Sequence, residues 1–293
     1  MAMGGKPVWL KVRPPASPEF LALQRRFRQH RLHTVCEEAL CPNRDRCWSD
    51  GEAAFMILGT ICTRRCAFCN VQTGRPRPPD DDEPQRLADT VRELGLRHVV
   101  VTSVDRDDLP DGGAGQFVAS IQAIRATTPG VTIEVLIPDF RDKPMALDAV
   151  LAAAPEVLNH NIETVPRLYP TVRPAANYHY SLRLLQQAAA HPSPRPIMVK
   201  SGLMVGLGES WDELLAVLHD LHRVGVTRLT IGQYLRPSPQ HHPVDRYWPP
   251  EWFDQLHDQA IKMGFQRAAI HPLVRSSLQA QQLLDPSAAP QSE

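Results

Sequence analysis

The chain has 293 residues, and its 32 Lys plus Arg residues balance its 32 Asp plus Glu residues, so the formal net charge is zero. This balance disfavours a nucleic-acid partner or an acidic membrane surface, since both select a basic face. No apolar run reaches the ~20 residues that span a bilayer, and residues 1–11 lack the apolar stretch of a secretory signal, so we expect a cytoplasmic protein with no membrane partner.

The order of apolar and helical segments predicts a parallel α/β fold. Residues 1–50 show little periodicity, although residues 19–33 have the composition of a helix. From about residue 54, six short apolar runs alternate with six stretches of helical character, which indicates strands joined by crossover helices. The runs are residues 55–58, 98–102, 131–137, 156–158, 197–205 and 228–231. The helical stretches are residues 85–94, 115–126, 145–153, 178–190, 211–224 and 251–263.

A partial barrel is a better prediction for these units than an open doubly wound sheet. No glycine-rich dinucleotide fingerprint follows the first run, and six units are too few for the full eight-fold barrel. In such a barrel the active site lies at the carboxyl ends of the strands. The polar residues that follow the runs at that end are Thr102, Ser103, Asp105, Asn159, Asn161, Glu163 and Gln233. Each is also a common helix cap or turn former, so either role is open for any one of them.

All six cysteines lie between Cys36 and Cys69, and without an export signal this clustering indicates metal ligands. One triplet has the spacing C-x3-C-x2-C and consists of Cys62, Cys66 and Cys69. A structural zinc site normally has four ligands, whereas three thiolates on a tight loop suit a 4Fe–4S cluster with one open iron. Such an iron can bind the amino and carboxylate groups of S-adenosylmethionine (SAM), and reductive cleavage then yields a 5′-deoxyadenosyl radical.

The other triplet, Cys36, Cys41 and Cys47, also lacks a fourth ligand. Its spacing alone is not diagnostic, and a three-cysteine zinc site with a distant fourth ligand is an open alternative. Beside the first triplet, a second iron–sulfur cluster is the better interpretation. It leaves no thiol for nucleophilic catalysis.

With these cysteines, the chain resembles the lipoyl synthase family of the radical SAM superfamily. The superfamily signature is matched by the C-x3-C-x2-C spacing with an aromatic residue before the last cysteine. The segments that resemble the family are residues 47–51, 55–69, 102–109, 159–164, 172–174, 200–209 and 233–237. The resemblance covers residues 30–280 and implies a partial (β/α)6 TIM-like barrel of the radical SAM type. It divides the chain into an N-terminal extension with the auxiliary cluster (1–50), a barrel core (51–272) and a C-terminal tail (273–293).

The resemblance implies an activity and its partners. Members of the family insert two sulfur atoms, at C6 and C8, into an octanoyl chain on a lysine of a carrier protein. The substrate would be an octanoylated lipoyl carrier domain or the glycine cleavage H protein. An external electron donor and an iron–sulfur repair protein would assist, and we expect a monomer. The cofactors would be SAM and two 4Fe–4S clusters, the second of which is consumed as the sulfur source.

The resemblance also assigns individual residues. The Cys62 triplet would hold the cluster that cleaves SAM, and the Cys36 triplet would hold the auxiliary cluster. Family members carry Arg-Ser-Ser-Tyr near the C-terminus, which makes Ser277 the fourth auxiliary ligand; Leu278 stands where the family has tyrosine. A serine oxygen is a poorer partner than a thiolate for a soft iron, so we infer that this ligand can depart. The expected SAM contacts are Thr102, Ser103, Asn161, Glu163, Arg173, Met204 and Val205.

Rival interpretations remain at this stage. The radical enzyme could insert sulfur into another substrate or be a methylthiotransferase, although the latter would be expected to carry extra domains. A non-catalytic iron–sulfur or zinc-binding protein is the alternative of a different class. The adjacent His241 and His242 are interpreted as a solvated loop, and His160 is the histidine expected to line the site. Arginines flank the cysteines as a local patch or a solvated surface, namely Arg44, Arg46, Arg64 and Arg65.

Overall fold

The structure, a computed structural model, describes residues 6–12, 17–49, 52–193 and 195–277. Its helices are α1 (Pro18–Gln29), α2 (Val35–Glu38), α3 (Arg44–Ser49), α4 (Glu83–Glu93), α5 (Ala114–Thr127), α6 (Pro144–Ala152), α7 (Tyr169–Val172), α8 (Tyr178–Ala190), α9 (Trp211–Arg223) and α10 (Pro250–Lys262). Its strands are β1 (His33–Thr34), β2 (Ala54–Ile57), β3 (Ile61–Cys62), β4 (Gln72–Thr73), β5 (His98–Ser103), β6 (Thr132–Leu136), β7 (Val157–Asn159), β8 (Met198–Val205), β9 (Arg228–Gln233) and β10 (Arg267–Ile270). Leu278 and the rest of the predicted tail lie outside the described residues.

The main sheet confirms the predicted parallel α/β fold. Among the described residues it has eight strands in the order β1-β2-β5-β6-β7-β8-β9-β10. Only β1 pairs antiparallel, with β2, and the other neighbours pair in parallel. No pairing joins β1 to β10 in the described ranges, so the sheet fits a partial barrel. The six predicted runs correspond to β2, β5, β6, β7, β8 and β9.

Two strands of this sheet were not predicted. β10 reads Arg-Ala-Ala-Ile, and only Ile270 at its end is buried, so it lacks the apolar run that marks the central strands. β1 is two residues long and pairs through His33 and Thr34 with Met56 and Phe55. Both strands depend on pairing with a neighbour distant in sequence, which a local pattern cannot show.

Local capping explains where several helices begin. Ser210 caps α9 by accepting from the Glu213 backbone N–H, and the Glu213 carboxylate accepts from the Ser210 N–H in return, which is a complete capping box. Asn177 caps α8 in the same way through the Tyr180 N–H at 2.9 Å. These caps fix where the helices after β7 and β8 begin, and therefore where the loops that carry site residues end.

The core lies between the parallel sheet and its helices, and the N-terminal extension adds an aromatic cluster to it. Trp48 of α3 stacks on Phe20 of α1 with centroids 4.7 Å apart. Phe27 meets Trp48 edge-on at 5.1 Å and Phe55 of β2 at 5.3 Å. Aromatic pairs of this kind contribute about 0.5–1.5 kcal/mol beyond burial. They therefore hold the extension, with its cysteines, against the first parallel strand. No helix in the described part of the chain is long and apolar enough to cross a membrane.

Candidate functional site

Both cysteine triplets contribute to one cavity of about 470 Å³ at the carboxyl ends of the strands. Cys62, Cys66 and Cys69, which are predicted to hold the radical cluster and are called the radical triplet below, all line it. From the auxiliary triplet, Cys36 and Cys41 line it, whereas Cys47 is buried in α3 and is not a lining residue. The structure therefore brings five of the six predicted thiol ligands to one space.

The radical triplet lies on a loop that begins at β3 and returns at β4. The two strands pair in parallel, with Ile61 opposite Gln72. The Gly74 N–H donates to the Cys62 carbonyl at 3.0 Å, and the Cys69 N–H donates to the Cys66 carbonyl at 3.1 Å. Backbone hydrogen bonds thus close the loop, which keeps the three thiols on one short segment.

Arg64, inside this loop, ties it to the ends of β5 and β6. Its Nε and Nη2 donate to the two carboxylate oxygens of Asp107, each at 2.7 Å. Nη2 also donates to Asp139 at 2.7 Å, and Nη1 lies 3.4 Å from Asp105. Arg64 is 6% exposed, so it is not part of a solvated surface. A buried guanidinium with several carboxylates holds a loop more rigidly than a surface pair does.

The His241–His242 pair lies in a loop, as predicted, but it packs against the loop of the radical triplet and is only partly solvated. The His242 backbone N–H donates to the Ala67 carbonyl at 2.8 Å, and the His241 ring Nε2 lies 3.1 Å from the Cys69 carbonyl oxygen. Both histidines are half-buried. The segment after β9 therefore covers the loop from its outer side, a contact between residues 172 apart in sequence.

Burial raises the pKa of four cysteine thiols, those of Cys36, Cys62, Cys66 and Cys69. It brings the pKa of Cys69 to about 11 and that of Cys66 to about 12, although Arg173 favours the Cys66 thiolate. For Cys36, burial and the neighbouring Cys41 raise the pKa to about 12. A thiol of this kind is a poor nucleophile at neutral pH. Metal binding displaces the proton, so these residues suit ligation better than covalent catalysis.

The polar residues predicted at the strand ends divide into two groups. Thr102, Ser103, Asp105, Asn161 and Glu163 line the cavity. Asn159 and Gln233 do not: Asn159 is buried and donates to Glu134 of β6 at 3.2 Å, and the Gln233 amide holds loop carbonyls such as that of Arg246 at 2.9 Å. The sequence alone does not distinguish the residues that line the cavity from those that do not, because all of them follow apolar runs.

The predicted SAM contacts line the cavity, with one exception. Arg173 donates from Nη1 to the Asn161 carbonyl at 2.9 Å, and the Asn161 side-chain amide donates to Glu163 at 3.1 Å. Burial raises the pKa of Glu163, and Arg173 opposes that rise. Met204 lines the cavity. The exception is Val205, whose side chain is in the core and whose carbonyl accepts from the Tyr234 N–H at 2.8 Å.

The last described residues, Val274 to Ser277, also line the cavity. Asn43, between two auxiliary cysteines, donates to the Leu273 carbonyl at 2.7 Å. The hydroxyl of Ser276 pairs with the Asn161 side chain at 2.8 Å. Ser277 lines the cavity beside it. The structure thus brings the predicted serine ligand to the space that the two triplets share. His160 also lines this space, as predicted.

The donor set fits the implied cofactors. Two groups of free cysteines provide the soft ligands that iron–sulfur clusters take. The Ser103 hydroxyl lines the cavity, is buried and has no hydrogen-bond partner among the described residues, so it suits a polar ligand. The arginines near the thiols, Arg173 by Cys66 and Arg275 by Cys41, favour anionic groups.

Comparisons with known proteins agree with this chemistry. Residues 56–221 match the family model described as the radical SAM superfamily. A lipoyl synthase of Histophilus somni (strain 2336) is 53% identical over 278 residues, which cover 94% of this chain and 86% of that protein. A lipoyl synthase of Xanthomonas euvesicatoria pv. vesicatoria (strain 85-10) is 54% identical over 279 residues, which cover 94% and 82%.

Solved structures share the fold at low identity. SuiB of Streptococcus suis, bound to S-adenosylmethionine, superposes with a TM-score of 0.58 at 9% identity and covers 87% of this chain and 56% of that chain. Methylornithine synthase (PylB) gives a TM-score of 0.53 at 14% identity, with 87% and 78% covered. At such identity the likeness concerns the fold alone.

Proposed function

Since this chain belongs to the lipoyl synthase family of the radical SAM superfamily, we propose that its two cysteine triplets divide the reaction between a radical-generating side and a sulfur-donating side of one cavity. The activity is that of the family, insertion of two sulfur atoms at C6 and C8 of a protein-bound octanoyl-lysine. The cofactors are SAM and two 4Fe–4S clusters. The observation that carries the division is the shared cavity, lined by thiols of both triplets.

In this proposal Cys62, Cys66 and Cys69 hold the radical cluster. When bound there, the cluster and SAM supply a carbon radical by one-electron cleavage of the sulfonium. Arg64 keeps the loop in place through Asp107 and Asp139. Buried side chains that line the cavity, such as Leu203 and Tyr234, exclude bulk water, which protects a reactive species from side reactions.

Cys36, Cys41, Cys47 and Ser277 hold the auxiliary cluster in the same proposal. Cys41 lies close enough to raise the thiol pKa of Cys36, and the Cys41 N–H donates to the Cys36 carbonyl at 3.0 Å. Cys47 would join them from α3, where it is buried. Ser277 completes the set from the tail, and its weaker affinity for iron allows it to leave when sulfide is transferred.

The SAM-contact assignments form one further part of the proposal. Thr102 and Ser103 would meet the amino group, Asn161 and Glu163 the ribose or methionine part, and Arg173 the carboxylate. Support comes from the Ser103 hydroxyl, which has no hydrogen-bond partner among the described residues, and from Arg173, which contacts Asn161 and lies near Cys66. Met204 and Val205 would offer backbone to the adenine. Met204 lines the cavity and Val205 does not, which favours Met204 as the contact.

The finer partners and organisation are also proposed. The carrier protein would be an octanoylated lipoyl domain or the glycine cleavage H protein. An external electron donor and an iron–sulfur repair protein would act on a cytoplasmic monomer. We assign residues 1–50 to the extension, 51–272 to the barrel and 273–293 to the tail. In support, the aromatic cluster around Trp48 joins the extension to the barrel.

Anaerobic turnover tests the proposal. The reconstituted enzyme is given an octanoyl-lysine peptide, SAM and a reductant, and products are read by mass spectrometry. A peptide that gains one and then two sulfurs, with 5′-deoxyadenosine formed, is expected. The Cys36→Ala variant should still form 5′-deoxyadenosine without sulfur insertion, whereas Cys66→Ala should form neither product. If both variants lose 5′-deoxyadenosine equally, the division of roles is wrong.

A further inference from the structure

Ser276 is held from two sides by groups that belong to the barrel. Its hydroxyl donates to Asn161 Oδ1 at 3.1 Å and accepts from Asn161 Nδ2 at 2.8 Å. Its backbone carbonyl accepts from Lys200 Nζ at 2.5 Å. Lys200 is itself fixed, because it is 1% exposed and pairs with Glu134 at 2.9 Å. Ser276 is therefore fastened to Lys200 on β8 and to Asn161, which follows β7.

The pairing requires a glycine at position 202. A Cβ added to Gly202 would lie 2.6 Å from Thr230 Oγ1, 2.8 Å from Asn161 Oδ1 and 3.1 Å from Ser276 Oγ. Any side chain there would separate the two partners. Strand β8 approaches this hydrogen bond closely, which is independent support for a specific contact between Asn161 and Ser276.

The neighbouring serine is placed differently. Among the residues that the structure describes, no hydrogen bond of the Ser277 hydroxyl is formed, and Ser277 lines the cavity. The chain before it is fastened, since the Gln233 N–H donates to the Pro272 carbonyl at 3.0 Å and Asn43 donates to the Leu273 carbonyl. The last fixed point before Ser277 is thus Ser276.

We propose that Ser276 is a positioning residue that holds the backbone of Ser277 at the auxiliary cysteines, so that only the Ser277 side chain moves when sulfide is given up. The inference rests on the proposed role of Ser277 as a cluster ligand. A serine oxygen binds a soft iron weakly, so its occupancy depends on how well its main chain is pre-positioned. Without the Ser276 anchor, Ser277 leaves early and the auxiliary cluster is exposed before a substrate radical exists.

The test compares Ser276→Ala with Ser120→Ala in the reconstituted holoenzyme. Ser120 is the control, since it is a buried serine on α5, does not line the cavity, and its hydroxyl has no partner among the described residues. Two quantities are measured anaerobically: the rate at which sulfide leaves the protein with no SAM or substrate, and the number of sulfurs inserted per 5′-deoxyadenosine. The Mössbauer spectrum of the auxiliary cluster reports the site that loses its oxygen ligand.

Loss of one hydrogen bond of ordinary strength changes the equilibrium between the held and the released positions of Ser277 by about fivefold. We therefore expect Ser276→Ala to lose sulfide about fivefold faster and to insert about fivefold fewer sulfurs per 5′-deoxyadenosine. Ser120→Ala should match the unmodified enzyme. Equal values for Ser276→Ala and the unmodified enzyme would overturn the inference, as would equal acceleration in both variants, which would indicate general loosening.

The two proposals fail in different ways. Sulfide loss is read without substrate, so it decides the role of Ser276 even if the turnover assay finds no sulfur insertion. If the unmodified enzyme inserts sulfur but Ser276→Ala behaves identically, the proposed function stands and the positioning role does not.

Discussion

Lys200 and Glu134 form an ion pair across the interior of the sheet, with Nζ 2.9 Å from Oε1 and both side chains 1% exposed. They lie on β8 and β6, and Asn159 on the strand between them donates to the same carboxylate. Although burial opposes ionisation, Lys200 and His98 lower the pKa of Glu134 to about 2. The barrel interior therefore holds a charged pair on which the position of the C-terminal segment depends.

Removal of one charge of this pair should lower the free energy of unfolding more than removal of both charges. Lys200→Met leaves a buried carboxylate without its cation, which costs about 3–5 kcal/mol. The double variant Lys200→Met with Glu134→Gln should recover a large part of that loss, since no net charge stays buried. Urea unfolding followed by tryptophan fluorescence measures both. A double variant as unstable as the single one would show that the unpaired buried carboxylate is not the cause of the loss.

Arg64→Lys should damage the radical loop although charge is retained. Lysine cannot make the two parallel hydrogen bonds to Asp107 while also reaching Asp139. We expect iron incorporation at the radical triplet to fall and 5′-deoxyadenosine formation to drop about tenfold, as for loss of supporting interactions around metal sites. The matched control is Arg65→Lys, the same change at the exposed neighbouring position. Similar losses in both variants would argue against the buried network.

The buried His160 should make the protein less stable below neutral pH. Burial, and then Arg173, lower the pKa of His160 to about 4 from 6.5. Its ring is held by the Ile137 carbonyl and the Ser181 hydroxyl, each at 2.9 Å. The unfolded chain takes up a proton more readily than the folded chain between these two pKa values, so folding stability falls as pH drops from about 6.5 toward 4.

The contribution of His160 is about 1 kcal/mol between pH 7.5 and pH 5.5. The urea midpoint of the cluster-loaded protein, kept anaerobic, should fall over this range. In His160→Gln the fall should be smaller, because the group that titrates is gone. An identical pH dependence in the variant would mean that other histidines account for the whole effect.

Gly232→Ala should displace the segment that carries Ser277. A Cβ at Gly232 would collide with the Val274 carbonyl oxygen, a backbone atom that cannot move without the tail. We expect sulfur insertion to fall by about tenfold or more, since small displacements in active sites have effects of this order. 5′-Deoxyadenosine formation should change less. Gly115→Ala is the control, because its added methyl meets only the side chain of Asp111, at 3.0 Å. Parallel loss of both products in Gly232→Ala would contradict the prediction.

Much of the fold could be predicted because it is encoded locally. The predicted helix 178–190 coincides with α8, and the other five differ by one or two residues at their ends. Apolar runs of β5 and β6 are buried on both faces, which is the pattern of a parallel strand between helices. The short edge strand β10 was missed since three of its four residues are only half-buried.

The candidate site could be predicted only in part. The six thiols stand out by residue type and spacing, and Thr102, Ser103, Asn161 and Glu163 follow apolar runs. Nothing local distinguishes Asn161, which faces the cavity, from Asn159, which bonds to Glu134. In the sequence, Arg64 is one of several arginines near cysteines. Its burial depends on carboxylates 43 and 75 residues away, which no local pattern shows.

The sequence by itself determined the alternation of strands and helices, the soft ligands and the family resemblance, because periodicity and side-chain chemistry are properties of neighbouring residues. Only the tertiary structure decided which polar groups meet. Asn161 and Ser276 are 115 residues apart in the chain and 2.8 Å apart in space. Their contact exists because parallel strands bring their carboxyl ends to one edge and Gly202 leaves room between them.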